Sequence, residues 1–228
     1  MIDIKNKNAL ITGSTRGIGQ QIAKGLAEKG CHIIVHGRTA EHTESTLKLL
    51  EKYDVKTYRV YGDLSDDAEI DNLIKQVNNL NIPIDILYNN AGIMCDYKEN
   101  IWSHTSENWL KTYQVNVVAM YKLCSAFIPK MIENGFGRVV NTTSRIADQP
   151  QLAPYGASKW AVDKLSIDLA SSLKNTPVRL NYFDPQWLQT DLGGEFAPNQ
   201  VEKVLPDAIK PVMIENDGPN GEFFQAKY

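Results

Sequence analysis

Residues Asn8-Ala9-Leu10-Ile11 form a short apolar run that feeds into Thr12-Gly13-Ser14-Thr15-Arg16-Gly17-Ile18-Gly19, and Gln20 to Lys29 then shows helical periodicity stopped by Gly30. A buried strand, a glycine-rich turn and a helix start, in that order, constrain the fold more than any other part of the chain. The glycines let the backbone come close to a pyrophosphate, and the free amides and dipole of the helix N-terminus favour its charge. The spacing is Gly-x-x-x-Gly-x-Gly rather than the Gly-x-Gly-x-x-Gly of most dinucleotide folds.

The same alternation continues without a linker, repeat or composition break. Strands are expected at Cys31–His36, Thr57–Tyr61, Asp85–Tyr88, Arg138–Thr142, Val178–Phe183 and Glu222–Gln225. Helices are expected at Glu41–Tyr53, Asp66–Leu80 (capped near Ser65), Ser106–Glu133, Ala157–Leu173 and Val201–Ile214. Strands alternating with helices imply an α/β protein, a doubly wound parallel sheet in three layers with right-handed crossovers. With 228 residues, one domain over 1–228 is the simplest organisation. Ligands of such sheets bind beyond the carboxyl ends of the strands, where every motif of this chain falls.

Composition narrows the partners. The net charge of −3 leaves no basic footprint, so nucleic-acid binding is not expected. No apolar run is read as reaching the roughly 20 residues of a membrane helix, and no secretory leader is expected at the N-terminus. Cys31, Cys95 and Cys124 are far apart in apolar contexts, which suits reduced buried thiols and a cytoplasmic location. His32, His36, His42 and His104 show no ligand spacing, and no metal site is expected.

Tyr155 and Lys159 lie four residues apart in Pro154-Tyr155-Gly156-Ala157-Ser158-Lys159-Trp160, in front of a helix whose apolar positions include Ala161, Val162, Leu165 and Leu169. The spacing places both side chains on one face. A phenol titrates near 10 and exchanges protons poorly at neutral pH, and a nearby ammonium would favour the phenolate and lower that value.

Taken together, Thr12 to Gly19, Asp63, Asn89 to Gly92, Asn116, Ser144, Tyr155 with Lys159, and Pro185 with Thr190 resemble the compact branch of the short-chain dehydrogenase/reductase family over nearly the whole chain. The resemblance implies a Rossmann-type fold and hydride transfer between NAD(H) or NADP(H) and an alcohol or carbonyl. It makes Tyr155 the acid of carbonyl reduction and the base of alcohol oxidation. Lys159 would lower the Tyr155 pKa and hold the nicotinamide ribose, Ser144 would hydrogen-bond the developing alkoxide, and Asn116 would hold a water linking Lys159 to solvent. Asp63 would bind the adenine amino group, and Asn90, Ala91 and Gly92 would pack the adenine-side ribose. The remaining coenzyme contacts it implies are Gly13, Ser14, Arg16, Gly17, Ile18, Gly19, Arg38, Leu64, Pro185, Leu188 and Thr190.

The choice of coenzyme follows from charge. The second strand ends Val35-His36-Gly37-Arg38, with glycine where an NAD-binding relative would carry an acid. Arg38 and Arg16 would suit a 2′-phosphate, so NADP(H) is expected over NAD(H). Two departures from the family stand out. Eleven positions separate Ser144 from Tyr155, two fewer than is usual, which leaves Thr142 as a rival at the usual offset. The family's Pro-Gly also becomes Pro185-Gln186, where glycine would admit a conformation that Gln tolerates poorly.

Residues 93–97, 146–152 and 187–198 would wall an apolar substrate pocket, with 186–214 as a flap hinged near Gly193-Gly194. A small carbonyl compound is the expected substrate and a homo-oligomer is open. The alternatives are a catalytically silent dinucleotide-sensing protein of the same fold and a 3-oxoacyl-thioester reductase.

Overall fold

The computed structural model describes residues 1–228. Seven parallel strands form the main sheet: β1 (Asn8–Ile11), β2 (His32–Gly37), β3 (Thr57–Tyr61), β4 (Ile86–Asn89), β5 (Gly137–Thr142), β6 (Val178–Asp184) and β9 (Phe223–Gln225). Their order is β3-β2-β1-β4-β5-β6-β9, so the winding reverses between β1 and β4. Such a reversal opens a crevice at the carboxyl edge. The short pair β7 (Leu188–Gln189) and β8 (Asn199–Gln200) stands apart from the sheet.

The strands read as unbroken apolar runs because both faces are covered. Side-chain alternation sorts each run between two cores. Leu10, Ile34, Leu87 and Val139 face one side with Leu73, Phe127 and Met131. Ile11, Ile33, Val35, Ile86, Tyr88 and Val140 face the other with Ile22, Leu26, Val204 and Val212. Six helices supply those layers: α1 (Gly17–Glu28), α2 (Glu44–Leu50), α3 (Asp67–Asn79), α4 (Ser106–Tyr113), α5 (Ala119–Glu133) and α6 (Ala153–Ser172). Cys31, Cys95 and Cys124 are free and buried.

Several local expectations are corrected. Helix α1 begins at Gly17, so the last glycines of the turn lie inside its first turn. The residues before α2 form a 3-10 turn, Glu41–Thr43. The cap of α3 is Asp66, not Ser65: its carboxylate accepts the amides of Ala68 and Glu69. The stretch Ser106–Glu133 is interrupted by a π-turn at Gln114–Val118. Helix α6 starts at Ala153, with Pro154 in its first turn where no amide donor is needed, so Tyr155 stands in the helix rather than in front of it. The expected helix at Val201–Ile214 is two 3-10 segments, Val201–Val204 and Asp207–Val212. Pro206 and Pro211 each lack the amide that an α-helix would use there.

The reading of membrane length is corrected too. Ser106–Glu133, 28 residues across α4 and α5, is long and apolar enough to cross a membrane by length and composition. In this fold, Leu123, Cys124, Phe127 and Met131 of that stretch are buried against the sheet.

Candidate active site

The glycine turn leaves β1 at the carboxyl edge and is held by its neighbours through Thr12. The Thr12 Oγ1 accepts the amides of Asn90 and Ala91, each at 3.0 Å. Asn90 Nδ2 donates back to the Thr12 carbonyl at 3.0 Å, so its side chain serves the turn. A Cβ on Gly13, whose φ is +63°, would sit 3.0 Å from the Ala91 Cα, and one on Gly19 would sit 2.3 Å from the Gly13 carbonyl oxygen. Both glycines are required by space. No side chain caps α1 and its first turn carries no acid. Those free amides and the close backbone approach fit a pyrophosphate.

Other residues implied as coenzyme contacts have their side chains committed elsewhere. The buried Ser14 hydroxyl donates to the Ile11 carbonyl at 2.8 Å. Leu64 and Leu188 are core side chains, and Ile18 packs against the same core as Leu188. Pro185 is buried, and its carbonyl accepts the Tyr228 hydroxyl at 2.6 Å. Thr190 approaches the turn, its Cγ2 lying 3.5 Å from where a Cβ on Gly17 would stand.

The two arginines differ in their surroundings. Arg38 is exposed at the end of β2, close enough for its charge to act on Asp63. Burial raises the Asp63 carboxyl, but the Ser65 amide and hydroxyl and the Arg38 charge outweigh that and hold it below its usual range. Arg16, expected to be free for a phosphate, instead pairs through Nε with Asp191 Oδ2 at 2.6 Å. Both partners are largely solvent-exposed, so the pair holds only weakly.

His36, read from the sequence only as a histidine without ligand spacing, lies against the glycine turn. Its Nδ1 accepts the Gly13 amide at 3.0 Å, and its Nε2 lies 3.1 Å from the Gly62 carbonyl oxygen. The ring therefore ties the glycine turn to the end of β3. Nδ1 can accept only in the neutral tautomer that carries its proton on Nε2. Complete burial lowers the His36 pKa to about 4. Between about 6.5 and 4 the unfolded chain binds the proton and the folded one does not. Stability should therefore fall with pH across that window, by roughly 3 kcal/mol at its foot. Urea midpoints at pH 7 and pH 5 in the native protein and His36→Asn measure this, and the variant should lose less between the two. No local pattern marks His36, because its partners come from β1 and the end of β3.

Tyr155, Ser144, Lys159 and Asn116 meet at the carboxyl edge of β4 to β6. The Ser144 hydroxyl accepts the Ile146 amide at 3.3 Å and lies close enough to the buried Tyr155 phenol to favour its ionised form. The rival Thr142 uses its carbonyl to accept Lys159 Nζ at 3.0 Å, and its own buried hydroxyl has no partner. Lys159 Nζ is 5.7 Å from the centre of the Tyr155 ring.

The expected lowering of the phenol is corrected. Burial raises Tyr155 to about 12, against the Ser144 hydroxyl and with help from Asp184. Burial also lowers Lys159 to about 8, which Asp163 and Asp184 oppose. The ammonium is turned to a carbonyl and does not relieve the phenol. Tyr155 is thus protonated at neutral pH, the form needed for an acid.

Asn116 is inside the π-turn. Its Oδ1 accepts the Ile93 amide at 2.9 Å, and its Nδ2 donates to the Ile93 carbonyl and to Ser158 Oγ, each at 2.9 Å. Its side chain, expected to hold a water, is thus committed to fixing the loop after β4 against α6. A Cβ on Gly92 would come 3.3 Å from both Asn116 Oδ1 and Lys159 Nζ, so the glycine keeps that corner open.

Gln186 adopts φ +59°, the left-handed conformation in which glycine was anticipated. Its amide donates to Asp184 Oδ1 at 2.7 Å and its Nε2 to the Ala226 carbonyl, contacts that offset the strain. Of the expected substrate wall, Met94, Trp187 and Phe196 are exposed, and Trp187 Nε1 donates to the Gly193 carbonyl at 2.7 Å.

The family profile described as short chain dehydrogenase matches residues 7–201. The chain is 34% identical to a 3alpha-hydroxysteroid dehydrogenase of Mediterraneibacter gnavus, covering 92% of this chain and 82% of that protein. It is 30% identical to a 3-oxoacyl-[acyl-carrier-protein] reductase of Haemophilus influenzae, over 98% and 87% of the two chains. In three dimensions it is similar to a gluconate 5-dehydrogenase from Burkholderia cenocepacia, solved with NADP and tartrate. That similarity has a TM-score of 0.84 at 24% identity and covers 97% of this chain and 93% of the other.

Proposed function

The chain belongs to the short-chain dehydrogenase family and is an oxidoreductase, and from that premise we propose that it reduces a small carbonyl compound with NADPH, Tyr155 being the acid. The observation that carries this reading is the buried, protonated phenol next to Ser144, with Lys159 Nζ 5.7 Å from its ring centre.

A bound nicotinamide coenzyme would supply the hydride for the carbonyl carbon. The Tyr155 phenol gives its proton to the carbonyl oxygen, so the product is the alcohol and the phenolate remains. The Ser144 hydroxyl donates to the oxygen as its charge develops. Lys159 is held by the Thr142 carbonyl, with its Nζ 5.7 Å from the centre of the ring that becomes the phenolate. In the reverse direction Tyr155 takes the proton from the alcohol. Residues 186–214 act as a flap over the cleft, with Thr190 against the glycine turn. Gly13, Gly17 and Gly19 would hold the pyrophosphate, and Asp63, Asn90, Ala91 and Gly92 would lie around the adenosine.

The exposed Arg38 and the absence of an acid at Gly37 support NADP(H) over NAD(H). A guanidinium–phosphate contact contributes about 1.5–3 kcal/mol. Arg38→Asp should therefore weaken NADPH binding by about 10- to 100-fold and leave NADH binding equal or improved, as read by nucleotide fluorescence titration. Equal affinities for both nucleotides in the native protein would sink the charge argument.

Turnover on a panel of steroid, sugar, aromatic and thioester carbonyls then tests the substrate. Preference for a 3-oxoacyl thioester would favour the second reading, which the Haemophilus relative supports. Nucleotide binding without turnover on any of these would favour a silent sensor. The free buried cysteines suit a reducing, cytoplasmic setting. The exposed Trp109, Leu110 and Tyr121 on α4 and α5 suit a homo-oligomer, which light scattering measures.

A further inference from the structure

Ser144 reaches the cleft from the loop after β5, and Lys159 from α6. Thr143 and Arg145 flank Ser144 on either side, and both are tied to one buried side chain, Asp163, a helical turn beyond Lys159. The Thr143 hydroxyl donates to Asp163 Oδ1 and lies 3.2 Å from the carbonyl oxygen of Lys159. Arg145 Nη1 stands 3.1 Å from Asp163 Oδ2, an ion-pair contact whose angle makes no hydrogen bond. The Arg145 amide donates to Asp184 Oδ2 at 3.1 Å, and its guanidinium lies over the Phe223 ring, 4.0 Å from the centre. The loop so anchored is the one that is two residues shorter than the family's. We propose that Asp163 and Arg145 are positioning residues of the reaction: their ion pair, buried at Asp163 and partly exposed at Arg145, fastens the loop that carries Ser144 to α6 and keeps a carboxylate one helical turn from Lys159.

This inference rests on the reductase reading and deepens it. A shortened loop has less freedom to settle Ser144 by its own packing, and here both neighbours of the serine are fastened to α6 or β6. The same carboxylate bears on Lys159 electrostatically. The groups facing Lys159 are few. From α6 come Asp163 and the Tyr155 phenol, and from the end of β6 comes Asp184. The Thr142 carbonyl faces it from β5, and neutral Gly92 and Asn116 from the β4 side. Arg145 acts on it through Asp163. Removing Asp163 would take away a negative charge that holds the proton on Lys159. Removing Arg145 would leave that charge free to hold it more strongly.

The test uses the Lys159 Cε resonance in full-length protein labelled with 13C-lysine, without coenzyme, assigned by its loss in Lys159→Arg. In the native protein it should titrate near about 8. Asp163→Asn should move the midpoint down by about one pH unit or more, and Arg145→Met should move it up. Asp163→Glu and Arg145→Lys, which keep the charges, should return it towards the native value. A merely structural role would loosen the site in both variants, hydrate Lys159 and move both midpoints up towards the free-lysine value. That result, or no movement, overturns the proposal. If Asp163→Asn does not fold, Asp163→Ser removes the same charge and gives the same reading. In turnover, Asp163→Asn should lower kcat about tenfold or more at neutral pH with KM little changed, and shift the alkaline limb in the direction of the resonance. The titration needs no turnover, so its failure is separate from that of the reductase reading, which would show as native protein inactive on every carbonyl.

Discussion

Tyr155→Phe is expected to lower kcat/KM for carbonyl reduction by about 10²–10⁴-fold, or more, while the NADPH dissociation constant stays at its native value. The ring keeps its place in the first turn of α6, because only the hydroxyl is removed from a buried side chain. What disappears is the proton donor. Ser144 cannot replace it, since a hydroxyl held as a hydrogen-bond donor has no comparable acidity. Single-turnover reduction and fluorescence titration of the same preparation separate the two quantities. Retained turnover would remove Tyr155 from the mechanism. The raised phenol adds a pH signature with a definite sign. Tyr155 stays protonated through neutral pH at about 12. Reduction, which needs the acid, should hold its rate across neutral pH. Oxidation, which needs the phenolate, should rise with pH.

The second large effect is at Gly19. An alanine there is expected to abolish measurable NADPH binding and lower the thermal midpoint. Its Cβ would meet the Gly13 carbonyl oxygen at 2.3 Å and Asn90 Nδ2 at 2.6 Å. The first neighbour is backbone and cannot swing aside, so the turn between β1 and α1 has to open. Asn90 is held by Thr12, and Gly13 by His36, so the displacement would spread to β4 and β2. Crowding of a well-packed site costs about 1–3 kcal/mol or more, which thermal unfolding would report. Gly135 is a control, since a Cβ there meets nothing within 4 Å, although its φ of +75° adds some strain of its own. Native-like binding by Gly19→Ala would show that the turn does not cradle the coenzyme.

The contrast between these two sites shows where sequence reasoning holds. Gly13, Gly17 and Gly19 lie within seven residues of one another, and their spacing follows from one strand, one turn and one helix. Tyr155 and Lys159 likewise share one helix face. The pairing of Ser144 with Tyr155 was harder to read, because the shortened loop left Thr142 as a rival. The structure favours Ser144: Thr142 turns its carbonyl to Lys159, while Ser144 is near enough to the phenol to act on it. The C-terminal segment departs from the helix its apolar spacing suggests because Pro206 and Pro211 interrupt it.

The sequence by itself determined the α/β class, the parallel winding and the edge of the sheet at which the chemistry gathers. Apolar runs of strand length, helical periodicity and glycine turns are local properties, contained in short windows of neighbouring residues. Only the tertiary structure decided the charges and engagements of the site. Burial raised Tyr155 and lowered Lys159 against the simple expectation of a paired phenol and ammonium. Asp191 took Arg16, and His36 joined the glycine turn to β3. Desolvation and long-range contacts depend on which elements pack together, and no window of neighbouring residues carries that information.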